Sequence, residues 1–477
     1  MKRREFMQRT AGGVLATTPL AAATSSAAES PVPAKDPPQN TLDLTTLPNF
    51  CAHEHWGSIP AIGMSPEGFR ADTETGAVPS RPVSVWDLVL DPYFGGFLAQ
   101  AGTDPHQLAT QAGAPDFISW WQKKPEEALA QLRAPLQNQA LTGAFQCLRK
   151  GIAYLHGPDI GAFELEAWRE ADTAVANAYS DIFSWYSNAM EKIHFSGLIR
   201  PVHPEFYVRE GTAASAKAEL GFTHTIMRID PLLHLWEKKS PRRDGLAKIA
   251  GVEPRDAQSW RNFITAILDL AAAHGTTGIK QLQAYSRPLR FEHRPDREIV
   301  WSGALSDEQV IAHQDWIVHE CCKQANDRGW VHQIHVGTHN LTQSSPLPLQ
   351  ILAKRYPKMN IVMLHAWPFL SECGWLAKQY PNMYIDTCWQ AILNPDFFRR
   401  ALQEWLGYIP AHKLMCSHDA TSIEMAAGSS LINREILSEI LDQHALRIGI
   451  PPNDLQHLAL SFLHTNATNL YPLSQTK

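Results

Sequence analysis

The chain has 477 residues, 44% of them hydrophobic, 9% aromatic and 19% charged, a composition that excludes wholesale disorder, collagen and coiled coil and supports a sizeable packed core. A formal charge of −6, with no polybasic tract beyond the N-terminus, argues against a nucleic-acid partner. At roughly 150 residues per domain, length alone leaves open three domains or one large barrel with insertions.

The chain opens Lys2-Arg3-Arg4-Glu5-Phe6-Met7-Gln8, followed by a weakly apolar run to Leu20 and the small residues Ala21, Ala22, Ala23, Ala27 and Ala28. Paired arginines, an aromatic residue, a short apolar stretch and small cleavage-site residues make up the pattern of a twin-arginine export signal over 1–28. The expectation is a periplasmic or secreted protein handled by the twin-arginine export machinery. The apolar run falls short of the ~20 residues of a stable membrane span, and no later segment reaches that length. Residues 29–48 are Pro-rich and polar, a linker. Seven cysteines, odd in number and irregularly spaced, do not form a disulfide framework.

From there short β-rich runs alternate with helical stretches. Strands are predicted at 49–55, 197–202, 223–229, 277–283, 330–336, 360–365, 382–386 and 413–417. Eight strands separated by helices predict an α/β fold over 49–477, a (β/α)8 TIM barrel, with a doubly wound open sheet as the alternative. Roughly 140 residues between the first two strands are too many for a structureless loop. Helical patterns at 85–98 and 164–193, with an aromatic cluster at Phe117, Trp120 and Trp121, predict a large, mainly helical insertion over 56–196. Its apolar surface would cover a barrel end or a neighbouring subunit, so a homo-oligomer is open.

His53-Glu54-His55 closes the first predicted strand. Alternation of faces puts both imidazoles, and Cys51 with them, on the barrel side. Two neutral imidazoles on one face make half of a divalent-metal site. In a chain with 21 histidines the spacing alone carries little weight, and the other strand ends supply the rest. Lys280, His335, His365 and Asp419 each lie at or just beyond the C-terminal end of a predicted strand, the barrel face on which catalytic groups gather. Tyr285, Arg287, Arg228 and Trp367 lie nearby as substrate-binding candidates. Arg228 and Arg287 would clamp a carboxylate, or Arg228 would pair with Asp230 or Asp386. Cys51 is read as a packed small hydrophobe. His332 and His418, by alternation, face away from the barrel interior. No Gly-rich phosphate loop and no Gly-x-Ser-x-Gly elbow occurs.

These residues resemble the amidohydrolase superfamily, specifically its amidohydrolase-related branch. Its pattern of His-x-His on strand one, Lys on strand four, His on strands five and six and Asp on strand eight maps onto His53, His55, Lys280, His335, His365 and Asp419. The segments Lys280–Arg287, Gln333–Gly337, Leu364–Pro368, Asn382–Asp386, Ser417–Ala420 and Asn466–Tyr471 are similar to that branch, and residues 56–196 lie outside the resemblance.

The resemblance implies one or two divalent ions, zinc by default, with Mn2+, Fe2+ or Ni2+ satisfying the same side chains. Asp419 would then move a proton between water and leaving group. His365 would be a second ion's ligand or an acid on the substrate carbonyl. Lys280 would be carboxylated, bridging two ions, or stay an ammonium paired with Asp419 or a substrate carboxylate. The implied activity on a small-molecule substrate is hydrolysis of an amide, lactone or ester. A uronate isomerase, which the long helical segment after strand one resembles, or a decarboxylase would use the same site. A metal-binding protein without turnover is the third reading.

Overall fold

The computed structural model describes residues 42–56, 83–91, 93–208, 222–236 and 241–473. The export-signal residues 1–28 and most of the linker lie outside the described residues.

Eight parallel strands lie side by side in chain order: β1 (Asn49–Cys51), β2 (Phe195–Val202), β3 (Thr223–Arg228), β4 (Gly278–Gln281), β5 (Val331–His335), β6 (Asn360–Leu364), β7 (Met383–Asp386) and β8 (Leu414–Met415). Every predicted strand is present, and the sheet is a TIM-type barrel rather than an open doubly wound one. The segment after β8 returns to the segment after β1. Asp419 N donates to His53 O (3.0 Å), His55 N to Ala420 O (3.1 Å) and Ala52 N to Ser417 Oγ (2.8 Å).

Alternation along the strands sends Phe50, Ile199, Ile226, Val331, Val362 and Met415 into the barrel, where they form a small interior core with Tyr384. Asn466 Nδ2 donates to Ala411 O and Leu414 O, both 2.8 Å away, which docks the C-terminal helix Asn466–Leu470 at the end where β8 begins.

The outer layer is helical for local reasons. In Ala257–Ala273, Asp256 and Ser259 form a capping box, and Trp260, Phe263, Ile264, Ile267, Leu268 and Ala271 recur at three- and four-residue spacing on the buried face. Helix Asp307–Arg328 starts in a Ser306 capping box and stops at Gly329, whose φ of 65° ends the helix. No helix among the described residues is long and apolar enough to cross a membrane. The seven cysteines are free and buried.

Between β1 and β2 stand the expected helices, but in shorter pieces than the patterns predicted. The 85–98 run divides into Val85–Val89 and Phe94–Gln100, because Asp91 Oδ1 accepts from Phe94 N (2.7 Å) and turns the chain. The 164–193 run divides into Leu165–Ala178 and Ile182–Lys192, the second capped by Asp181. Trp86 sits at the centre of the insertion, 4.5 Å from a stacked Trp168 and 4.7 and 5.4 Å from Phe117 and Trp121.

The insertion docks on the barrel where helix Gly143–His156 crosses the long helix Ile423–Ile448. The crossing depends on missing side chains. A Cβ at Gly151 would lie 1.7 Å from Glu424 O, and one at Gly428 would lie 1.6 Å from Cys147 O. Beside it the buried carboxylate of Glu424 accepts from His156 Nε2 (3.0 Å) and Tyr179 OH (2.9 Å), so the contact is both close-packed and polar.

Candidate metal centre

Straight alternation does not explain how His53 and His55 reach the barrel mouth. Phe50 and Ala52 pack inside the barrel and Cys51 packs in the outer core, so unbroken alternation would turn both histidines outwards. Instead the chain bends at Ala52 and His53 and the faces reverse. His53 and His55 then point at Asp419, and Glu54 turns towards Cys51 and His418. The expectation that Cys51 shares the histidines' face is thereby corrected. Its thiol donates to Glu54 Oε1 (3.0 Å) and is fully buried. His418 also donates to Glu54 Oε1 from Nδ1 (3.0 Å), its Nε2 being taken by Asn49 Nδ2. Glu54 Oε2 accepts from Ala420 N (2.8 Å). One buried carboxylate therefore ties the His-x-His segment to the residue after Asp419.

The potential ligand atoms of His53, His55 and Asp419 lie within 4.8 Å of one another. Asp419 Oδ1 is 3.3 Å from His55 Nε2 and 3.8 Å from His53 Nε2. The tautomer of His53 follows from its neighbour. Gln333 Nε2 donates to Ala52 O (2.7 Å) and Tyr471 OH (2.8 Å), so Gln333 Oε1 accepts the Nδ1 proton of His53 at 2.8 Å and leaves the Nε2 lone pair facing Asp419. On the other side of the carboxylate, His365 Nδ1 is 3.5 Å from Asp419 Oδ2, and Cys388 joins His365 and Asp419 in a second buried group of ligand type. His335 sits one step further out. Its Nδ1 is 2.9 Å from His365 Nε2 and its Nε2 is 2.6 Å from Thr338 Oγ1.

Burial sets the charge states of this cluster. It holds His53, His55 and His335 well below the usual imidazole pKa, with the Lys280 charge adding to the effect in the first two and His365 in the third. His365 is brought down to about 3, again chiefly by burial. Burial pushes Asp419 up to about 7 despite the opposing pull of Lys280, and burial together with the Arg228 charge holds Lys280 well below the usual amine range. Neutral imidazoles beside a carboxylate are the donor set a divalent ion takes, so the residues fit a metal ion. Thr338, His365, Ala366, Trp389 and Asp419 have φ between 56° and 70°, a left-handed conformation that costs energy in non-glycine residues and collects at functional sites.

The cluster opens into a cavity of about 540 Å³ lined by His55, Lys280, His335 and Asp419 at its polar part. Tyr285 and Trp367, two of the substrate-binding candidates, line it. The two arginines do not reach its wall. Arg228 pairs with Asp230 at 2.9 Å, the ion-pair alternative of its two expected roles. Arg287, expected to bind substrate, is turned away. Its NH2 donates to Asp315 Oδ1 (2.6 Å) and Arg290 O (2.9 Å), and its NH1 to Gln314 Oε1 (3.1 Å). This correction has a physical cause, since a fully donated guanidinium has no N–H left for a ligand.

The structure adds Tyr93, Trp389, His339 and Gln333 to the site. Tyr93 OH donates to Asp419 Oδ1 (3.1 Å), and it comes from the insertion, placed by the Asp91 turn. Asp91 itself hydrogen-bonds the Thr421 hydroxyl, two residues after Asp419. Gln333 could have been found, since it lies two residues before His335 on one strand and so shares its face. Nothing local in the sequence marks Tyr93.

Fold and site together define a class: a (β/α)8 barrel with a buried His/Asp metal-type cluster at the C-terminal ends of its strands. Residues 240–427, which hold Lys280, His335, His365 and Asp419, match the amidohydrolase family model. The chain is similar to protein fluG of Emericella nidulans, 28% identical over an alignment of 239 residues that covers 45% of this chain and 28% of that protein. It therefore spans well under two thirds of that relative's length. Its fold is similar to those of a uronate isomerase from Thermotoga maritima (TM-score 0.68, 12% identity, 90% of this chain and 95% of that one) and a glucuronate isomerase from Caulobacter crescentus (0.69, 15%, 91% and 93%). A protein from Lactobacillus casei assigned as a metal-dependent hydrolase is also similar (0.56, 16%, 89% and 95%). At these identities the likeness is one of fold.

Proposed function

We propose that the protein is an exported, metal-dependent hydrolase that cleaves a C–N or C–O bond of an amide, lactone or ester in a small molecule. The observation that carries this reading is the convergence of His53, His55 and Asp419 beside Lys280 at the wall of a cavity of small-molecule size. His53, His55, His365 and Asp419 would hold one divalent ion or share two, zinc being the ion this donor set favours. A divalent ion supplies, when bound, a water acidified from a pKa of 15.7 to about 7.

The chain's own residues do the rest. Asp419 takes a proton at a carboxylate oxygen and returns it to the leaving group, while the Tyr93 hydroxyl, donating to Oδ1, fixes which way that carboxylate faces. Gln333 holds His53 in the tautomer that offers Nε2. Burial and the Arg228 charge favour the uncharged amine of Lys280, the form to which CO2 adds, and a carboxylated Lys280 would complete a binuclear site. Left unmodified, Lys280 would pair with Asp419 or with a substrate carboxylate. Export by the twin-arginine route is proposed from residues 2–28, and because that route carries folded proteins the ion would be loaded before export.

A second reading, sugar-acid isomerisation, is favoured by the fold likeness to uronate isomerases, which extends over nine tenths of the chain. Turnover of an amide, lactone and ester panel in H2¹⁸O separates the two. Hydrolysis places ¹⁸O in the product and falls about 10³-fold in Asp419→Asn. Product without ¹⁸O, or full turnover in that variant, contradicts the hydrolase.

A further inference from the structure

The cavity divides into two chemical parts. Its metal-side part is His55, Lys280, His335 and Asp419. Much of the remaining wall is ring or hydrocarbon: Tyr93, Phe97, Tyr285, Trp367, Trp389 and Leu393. Several of these rings pack against one another, stacked or tilted, into one belt with His339. Tyr93 lies 4.8 Å from Trp389, Trp389 lies 5.7 Å from His339, and His339 lies 4.3 Å from Tyr285. A belt braced in this way presents fixed ring faces and edges to whatever enters.

The polar groups of that wall are few. Thr338 is there, but its hydroxyl already lies 2.6 Å from His335 Nε2 and 2.9 Å from His339 Nδ1. Gln100 is the amide on the wall. Among the described residues no arginine lines the cavity, since the guanidinium of Arg228 goes to Asp230 and that of Arg287 to Asp315. A polyhydroxylated sugar acid could set its carboxylate at Lys280, but it also needs a partner for each hydroxyl, and among the described residues the ring-lined part of the wall offers few. Against that part its hydroxyls would lose water while gaining few protein partners.

We infer that the substrate carries a flat, apolar ring, aromatic or unsaturated heterocyclic, seated against the Tyr93–Trp389–His339–Tyr285 belt and Phe97, with its reacting bond at the Asp419 end. The inference rests on the reading of this cavity as the active site and adds the substrate class to it.

The test uses the full mature protein loaded with zinc, and three probes: benzamide, cyclohexanecarboxamide and D-glucuronate. Binding is followed by saturation-transfer NMR and calorimetry. Benzamide should bind about tenfold more tightly than its saturated counterpart, the scale of an added aromatic contact. Phe97→Ala and Tyr285→Ala should each remove most of that preference, and glucuronate should not displace benzamide. Tyr285 is 41% exposed, so its variant folds even if another does not. Equal binding of the two amides, an unchanged preference in both variants, or displacement by glucuronate overturns the inference. Its failure is distinct from that of the hydrolase reading. Ring-selective binding with no ¹⁸O incorporated into any ring-bearing amide or ester leaves the ring standing and removes hydrolysis. Incorporation that ignores the ring does the reverse.

Discussion

In the barrel, the residues of the site stand at strand ends, each backed by a hydrogen-bonded ladder and a buried outer helix. In the insertion, short helices pack around Trp86 and send the Tyr93 hydroxyl to Asp419 and the rings of Tyr93 and Phe97 to the cavity wall. The two regions share one apolar core, and at their seam two glycine-bared helices cross while Asp91, His156 and Tyr179 reach over to Thr421 and Glu424. The difference teaches that the donor set belongs to the barrel, which also supplies Tyr285, His339, Trp367 and Trp389 to the cavity wall, while the insertion adds Tyr93 and Phe97. Damage to one region should therefore be separable from damage to the other.

The largest effect should come from the insertion's own core. Trp86 is fully buried among three aromatic rings, so Trp86→Ala should cost about 4 kcal/mol. Urea denaturation of the zinc-loaded protein should then show an early transition with the metal still bound. Metal released in that first transition would merge the two regions into one unit.

Acid should act on the barrel instead. Burial holds His313 and His319 at about 4 and His332 at about 3, below the 6.5 they take in the unfolded chain. The unfolded state thus binds protons the native state refuses, and stability that is full above pH 6.5 is lost as pH falls towards 4. For His313 alone the loss approaches roughly 3 kcal/mol. Denaturant midpoints measured from pH 7 to pH 4 should drop, and His313→Phe should flatten the drop. A midpoint that rises on acidification contradicts the assignment.

The smallest effect tests the insertion hydroxyl that reaches Asp419. Tyr93→Phe keeps the ring on Trp389 and removes the hydrogen bond to Asp419, so kcat should fall about tenfold with metal content and melting temperature unchanged. Loss of metal in this variant would make Tyr93 part of the ion's support rather than of the reaction.

How far the sequence reaches follows the same division. The eight strands were legible because buried parallel strands are short apolar runs, and the histidines, lysine and aspartate at their ends were legible because barrel chemistry collects there. The existence of the insertion could be read from the length of the gap. Its helix breaks were signalled only by Asp91 and Asp181, side chains that cap locally. Contacts made across hundreds of residues left no such mark. The reversal of faces at Ala52 and His53, the Tyr93 hydroxyl on Asp419 and the pairing of Arg287 with Asp315 all depend on partners that local pattern does not name. Cys51 was misplaced for this reason, since alternation holds only while the ladder continues.

The central claim is that the barrel's own side chains hold a divalent ion. The most direct measurement is elemental mass spectrometry of the protein purified without chelator, beside the His53→Ala/His55→Ala double variant. One or two ions per chain in the natural protein, lost in the double variant while the fold persists by circular dichroism, is the predicted result. No bound ion even after zinc or manganese is supplied with bicarbonate, or equal metal in both proteins, would contradict it.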